Sequence, residues 1–149
     1  MYSFKLNIKF MWWIYALLSA LFAALTAIFA KIGIKGVDTD LATGIRTVII
    51  LVLAWLLVFY KGSQNGIGSL TKVNWIFLIL SGCATGFSWI CYFKALQLGE
   101  VSQVAPVDKL SVAIAIVLAA IFLGEPLTPK TIVAATLIMA GTFVMIFFK

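Results

Sequence analysis

The chain has 149 residues, 64% of them apolar and 11% charged, with a mean hydropathy of +1.15. Soluble domains carry roughly a quarter charged residues, so a composition this apolar cannot cover a globule in water and calls for lipid as the main solvent. Histidine is absent and there are two cysteines, Cys83 and Cys91, which a helix would set about 80° apart. With the commonest acid–base and metal-ligating side chain missing, the sequence supplies no basis for enzyme chemistry, a disulfide framework, a metal site or a cofactor. The net charge of +6 is scattered singly between apolar runs and offers nucleic acid no basic stripe to follow.

A membrane-crossing helix needs ~20 residues, and the chain divides into five such segments. Residues 11–30 are uncharged and open on Met11, Trp12 and Trp13, aromatics suited to the headgroup level. Read as a signal peptide this run is too long for an apolar region of about 7–15 residues, so it is expected to be a retained helix. The glycine- and charge-containing stretch 31–40 reads as a loop, and residues 41–60 as a second helix with Arg46 inside it. Gly62, Asn65, Gly66 and Gly68 predict a flexible turn. Residues 73–93 are an uncharged third helix, 94–102 a connection, and 103–123 a fourth helix carrying Asp108 and Lys109. Gly124, Glu125 and Pro126 stop it. Thr128 before Pro129 then reads as an N-cap with proline at the first helical position, opening a fifth helix over 130–148. No strand alternation is sustained, which argues against a β-barrel.

Five helices would put the two termini on opposite faces. The N-terminal face would collect Lys5, Lys9, Lys61, Lys72 and Lys130, the other face Lys31, Lys35, Arg46, Lys94, Lys109 and Lys149. Orientation follows an excess of Lys and Arg on cytoplasmic loops, and neither face has a clear excess here. The sequence therefore allows either one weakly specified orientation or dual topology, with both orientations inserted and paired.

Tyr92, Ala95, Leu96, Gly99, Val101, Ser102, Ala105 and Pro106, followed by the run from Leu123 through Gly124, Glu125, Pro126 and Leu127 to Thr128, resemble the EamA-type transporters of the drug/metabolite transporter superfamily. Gly141 and the alanine-rich first helix ending at Lys31 are similar too. The resemblance implies two homologous five-helix halves in inverted orientation, a plan that sets the transport site at the midplane between repeats. This chain resembles one half. It is then expected to dimerise, as an antiparallel homodimer by preference, or as a parallel dimer or a heterodimer with a second half-size protein. Four-helix multidrug exporters of the same superfamily carry an acidic residue in their first helix. Residues 11–30 have none, which argues against proton-coupled export of cationic drugs.

Ionisable residues inside membrane segments are functional candidates by default. Arg46, Asp108 and Lys109 fall in the first turns of helices that start on one face, and an Arg46–Asp108 contact is expected. Lys109 has no expected structural partner. Lys31 and Lys94 are expected to snorkel to the headgroups along their own stems. Pro106 leaves the carbonyl near Ser102 without its helical partner, and Ser102, Pro106 and Lys109 share one face by spacing. Trp89 and Tyr92 suit either stacking on a cation or anchoring at the interface. The small residues Ala20, Ala23 and Ala27 of the first helix, with Ser19 and Thr26 alongside, and Gly82 and Gly86 of the third, beside Ser88, are expected to be packing faces in preference to a hydrophilic pathway lining.

Together these readings predict an all-α integral membrane protein, one membrane domain of five transmembrane helices over residues 1–149, multi-pass in the cytoplasmic membrane. It would move a small metabolite, an anionic or zwitterionic solute by preference, by alternating access as a dimer. Its pathway candidates are Arg46, Trp89, Tyr92, Ser102, Pro106, Asp108 and Lys109. The alternatives are a lipid-translocating subunit and a non-transporting membrane partner of a larger complex.

Overall fold

A computed structural model of the protein describes residues 11–147. The predicted charges at Lys5, Lys9 and Lys149, and the end of the last predicted helix, lie outside the described residues. Those residues contain no strand and form an all-α membrane protein with five spans. The spans are α1 (Trp12–Gly33), α2 (Thr39–Tyr60), α3 (Lys72–Leu98), the interrupted pair α4 (Val101–Asp108) and α5 (Leu110–Phe122), and α6 (Pro129–Phe147).

Local chemistry sets the helix ends. The Asp38 carboxylate accepts from the Asp40 and Leu41 backbone N–H groups at 3.0 and 2.9 Å, satisfying donors that a helix start leaves orphaned. Thr71 and Asn74 form a reciprocal capping box at the start of α3. Thr128 Oγ1 accepts from the Thr131 N–H at 3.3 Å, with Pro129 at the first helical position. Gly62, at φ +68°, ends α2 in the left-handed conformation that side chains resist. The turn predicted as flexible at 62–68 is instead a 3₁₀ helix, Ser63–Ser69.

Two other boundaries differ from the sequence reading. Helix α1 runs through Lys31 to Gly33, and α3 runs through Lys94 to Leu98, so the expected connection over 94–102 shrinks to Gly99 and Glu100. Polar side chains at the end of an apolar run mark where lipid ends, not where the hydrogen-bond ladder does. Gly99 permits the sharp link because a Cβ there would stand 3.2 Å from Val104 Cγ2 and 3.4 Å from the Ala95 carbonyl oxygen.

Lys31 is the larger correction. Expected to reach for headgroups, its ammonium instead donates to the carbonyls of Leu96 and Gly99 at 2.6 and 2.7 Å. Those carbonyls are among the acceptors that a helix C-terminus leaves unpaired. The bonds sew α1 to the α3–α4 link. Lys94 is exposed.

The core is small and lies at this end of the bundle. Ala30 and Ile34 pack with Phe93 and Leu96, flanked by Ala42, Tyr92, Val101 and Val104. A second contact joins α5 to α6 through Ala113 and Ala135. The rest of the helix surface is apolar and exposed, as lipid-facing surface must be. Of the expected packing residues, Ala27 is buried but Ala20 and Ala23 are exposed. Gly82 and Gly86 meet no neighbour within 4 Å of a built Cβ, so nothing in the described residues lies close against either glycine. The cause is the position of the core, which engages α3 near Phe93 and Leu96, well past the glycine pair.

Candidate functional site

Side chains from α1, α2, α3 and the α4–α5 junction enclose a cavity of about 490 Å³, within the range of ligand pockets. Helix α1 contributes Ser19, Phe22, Ala23 and Thr26, spaced three and four residues apart as one helix face requires. Arg46 enters from α2, Ser88, Trp89 and Tyr92 from α3, and Asp108, Lys109 and Ser111 from the junction. The wall thus combines hydroxyl groups, aromatic rings, two cations and one carboxylate.

Arg46 is held by rings. Its guanidinium carbon lies 4.6 Å from the Trp89 ring centroid and 4.5 Å from that of Phe93, both inside cation–π range. Trp89 and Phe93 are one turn apart on α3, so a single helix face supplies both platforms. Among the described residues no carboxylate pairs with Arg46. The expected Arg46–Asp108 contact is therefore absent: Asp108 pairs with its neighbour Lys109 at 3.2 Å. Lys109, expected to be free, is the partnered cation, and Arg46 is the uncompensated one. The pair satisfies the carboxylate locally and leaves one positive charge facing the cavity.

The α4–α5 junction explains why Asp108 and Lys109 arrive here together. Pro106 lies inside α4 and has no N–H to offer the Ser102 carbonyl. One turn later the ladder tightens to i→i−3 bonds, Lys109 N–H to the Pro106 carbonyl and Val112 N–H to the Lys109 carbonyl, both 3.0 Å. Backbone irregularity at membrane depth is tolerated where it lines a cavity or is buried in protein. Thr142 of α6 adds a hydroxyl bond to the Pro106 carbonyl at 3.1 Å.

Five of the seven pathway candidates meet in this cavity: Arg46, Trp89, Tyr92, Asp108 and Lys109. Ser102 and Pro106 are not part of its wall. Ser102 is exposed, with its hydroxyl 3.5 Å from a Glu100 carboxylate oxygen, and Pro106 is tied to α6. The ladder change between Pro106 and Lys109 breaks the shared face that uninterrupted helical spacing implied. Sequence reasoning missed Ser19, Thr26 and Ser88, reading them with their small neighbours as packing, although hydroxyl groups within an alanine or glycine stripe were the available signal. Ala23, expected to pack, also lies in the cavity wall.

A second, more apolar cavity of about 430 Å³ lies between α1 and α2, and Arg46 and Thr26 line it as well. Phe93 belongs to its wall, while Trp89 belongs to the first. The described residues hold no group of three or more His, Cys, Asp or Glu side chains placed to bind a metal ion.

Comparison with known proteins gives this geometry a context. A protein of Sinorhizobium sp described as an "Uncharacterized transporter in cobO 3'region" is 44% identical over 137 residues, 92% of this chain and 97% of that protein. No solved structure matches the chain. The profile of the EamA-like transporter family matches residues 10–147, and with five membrane spans over that same stretch, the chain belongs to the EamA-like transporter family.

Proposed function

We propose that two copies of this chain pair antiparallel in the cytoplasmic membrane and carry a small anionic or zwitterionic metabolite by alternating access. The observation that carries the substrate class is Arg46, a half-buried guanidinium on the cavity wall with aromatic platforms and no carboxylate partner among the described residues. Guanidinium is the side chain best matched to carboxylate or phosphate. The near-even division of basic residues between faces supports insertion in both orientations. The space beside Gly82 and Gly86 offers close backbone approach for a second copy. The relative of equal span supports half-size chains as working units of such transporters.

The test is counterflow of a metabolite panel into liposomes holding the purified protein. Arg46→Gln should abolish uptake of carboxylates and phosphates, while Lys109→Met, which strips one partner from an exposed pair, should lower it only partially. Preference for a lipophilic cation, or normal anion uptake by Arg46→Gln, would overturn the proposal.

A further inference from the structure

We infer that Arg46 serves both cavities at once, and that the occupant they fit together is a single-chain amphipathic anion, its phosphate or carboxylate on the guanidinium and its chain lying between α1 and α2. This rests on the reading of Arg46 as an anion site and narrows its ligand. The guanidinium stands over Trp89 on the polar side and over Phe93 on the apolar side, at nearly equal distances of 4.6 and 4.5 Å. It therefore forms the boundary between a space of about 490 Å³ lined with hydroxyl groups and charges and one of about 430 Å³ lined chiefly with hydrocarbon.

The apolar space exists because α1 packs on α3 and α4, and α2 on α3, while α1 and α2 are not a closely packed pair. Phe29 and Ile45 in its wall stay 66% and 53% exposed, so it is open on the side that faces lipid. A chain can thus enter sideways from the bilayer without leaving hydrocarbon. A head group without a chain would leave this space to lipid tails. A chain without a charged head would leave the guanidinium unpaired, and an anionic head supplies the charge complementarity that Arg46 lacks within the described residues. The hydrocarbon-lined space of about 430 Å³ is read as the seat of one chain, which commits the inference to a single-chain ligand.

The probe is radiolabelled decyl phosphate, retained by the protein in phosphatidylcholine nanodiscs and compared with empty discs, which give the background of simple partitioning. Inorganic phosphate is the second probe. Retention of decyl phosphate above background should fall about tenfold in Arg46→Gln, the size of a lost charge-assisted interaction. Gly33→Leu, which adds bulk to the α1–α2 space where a Cβ meets nothing within 4 Å, should also lower it severalfold while eluting at the wild-type volume. Unchanged retention in the folded Gly33→Leu protein would remove the chain from that space and overturn the inference. So would equal displacement by the two-chain phosphatidate. Binding of inorganic phosphate that depends on Arg46, with no effect of Gly33→Leu on decyl phosphate, leaves the anion transporter standing and sinks the amphiphile. Failure of both probes to depend on Arg46 sinks both readings.

Discussion

Lys31 and Arg46 show two ways for a cation to sit inside an apolar bundle. Lys31 finds backbone carbonyls that the end of α3 leaves unpaired, and Arg46 finds the faces of two rings. Neither solution needs an acidic residue, so neither the snorkelling expected of Lys31 nor the Asp108 contact expected of Arg46 is what the structure shows. The two bonds of Lys31 are part-buried and charge-assisted, so Lys31→Met should cost about 1–2 kcal/mol. A lowered Tm in nanodiscs checks this, and an unchanged Tm would mean the ammonium contributes no more than a water would. The Asp108–Lys109 pair is different in kind. Its side chains are 35% and 55% exposed, and adjacent exposed charges contribute little. Its importance lies in neutralising Asp108 beside the cavity rather than in holding the fold.

Among the elements, α6 adds one polar contact with α4 to its apolar packing on α5. Thr142 is buried, and its hydroxyl shares its proton between the Ile138 carbonyl one turn below and the Pro106 carbonyl of α4. Thr142→Val keeps the shape and removes the donor, and should cost about 1 kcal/mol, read as a lower unfolding temperature together with faster hydrogen exchange at the α4–α5 junction. The caps at Asp38 and Thr71 were not read from the sequence, whereas helix number and the Thr128 cap were readable, because uninterrupted apolar runs and Thr128 before Pro129 are local signals. The ends near Gly33 and Leu98 were not. They are set by a lysine from one helix reaching the carbonyls of another, a contact 65 to 68 residues away in sequence. The cavity was half legible: charged and aromatic residues pointed to it, whereas Ser19, Thr26 and Ser88 could not be told from packing residues until the neighbours were known.

For the whole molecule, most large apolar side chains stay exposed and only a small cluster around Phe93 and Leu96 is closed off. A chain with so small a core relies on its surroundings in the bilayer for its tertiary definition. Orientation is then decided by few charges. The 34–38 and 61–71 connections lie at opposite ends of α2, so cysteines at Lys35 and, separately, at Asn65 report the two faces in a background lacking Cys83 and Cys91. Each should label from both sides of the membrane. Adding two lysines within 62–68 should shift both to one-sided labelling. One-sided labelling of the unmodified protein would rule out dual topology.

The brevity of α4 has a further consequence. With eight residues between the Gly99–Glu100 link and the junction, it spans about 12 Å and each residue turns the chain by about 100°. Its length is therefore an angular setting, the phase at which Asp108, Lys109 and everything in α5 and α6 are presented to Arg46. A substitution within α4 alters one side chain, but a single inserted or deleted residue rotates the whole C-terminal third by more than a quarter turn. That would aim Lys109 and Asp108 away from the cavity, and a change placed after Pro106 would also turn Thr142 from the Pro106 carbonyl. A side chain along α4 therefore acts singly, Val104 on the core or Asp108 on the cavity, while the residue count of α4 is geometrically locked.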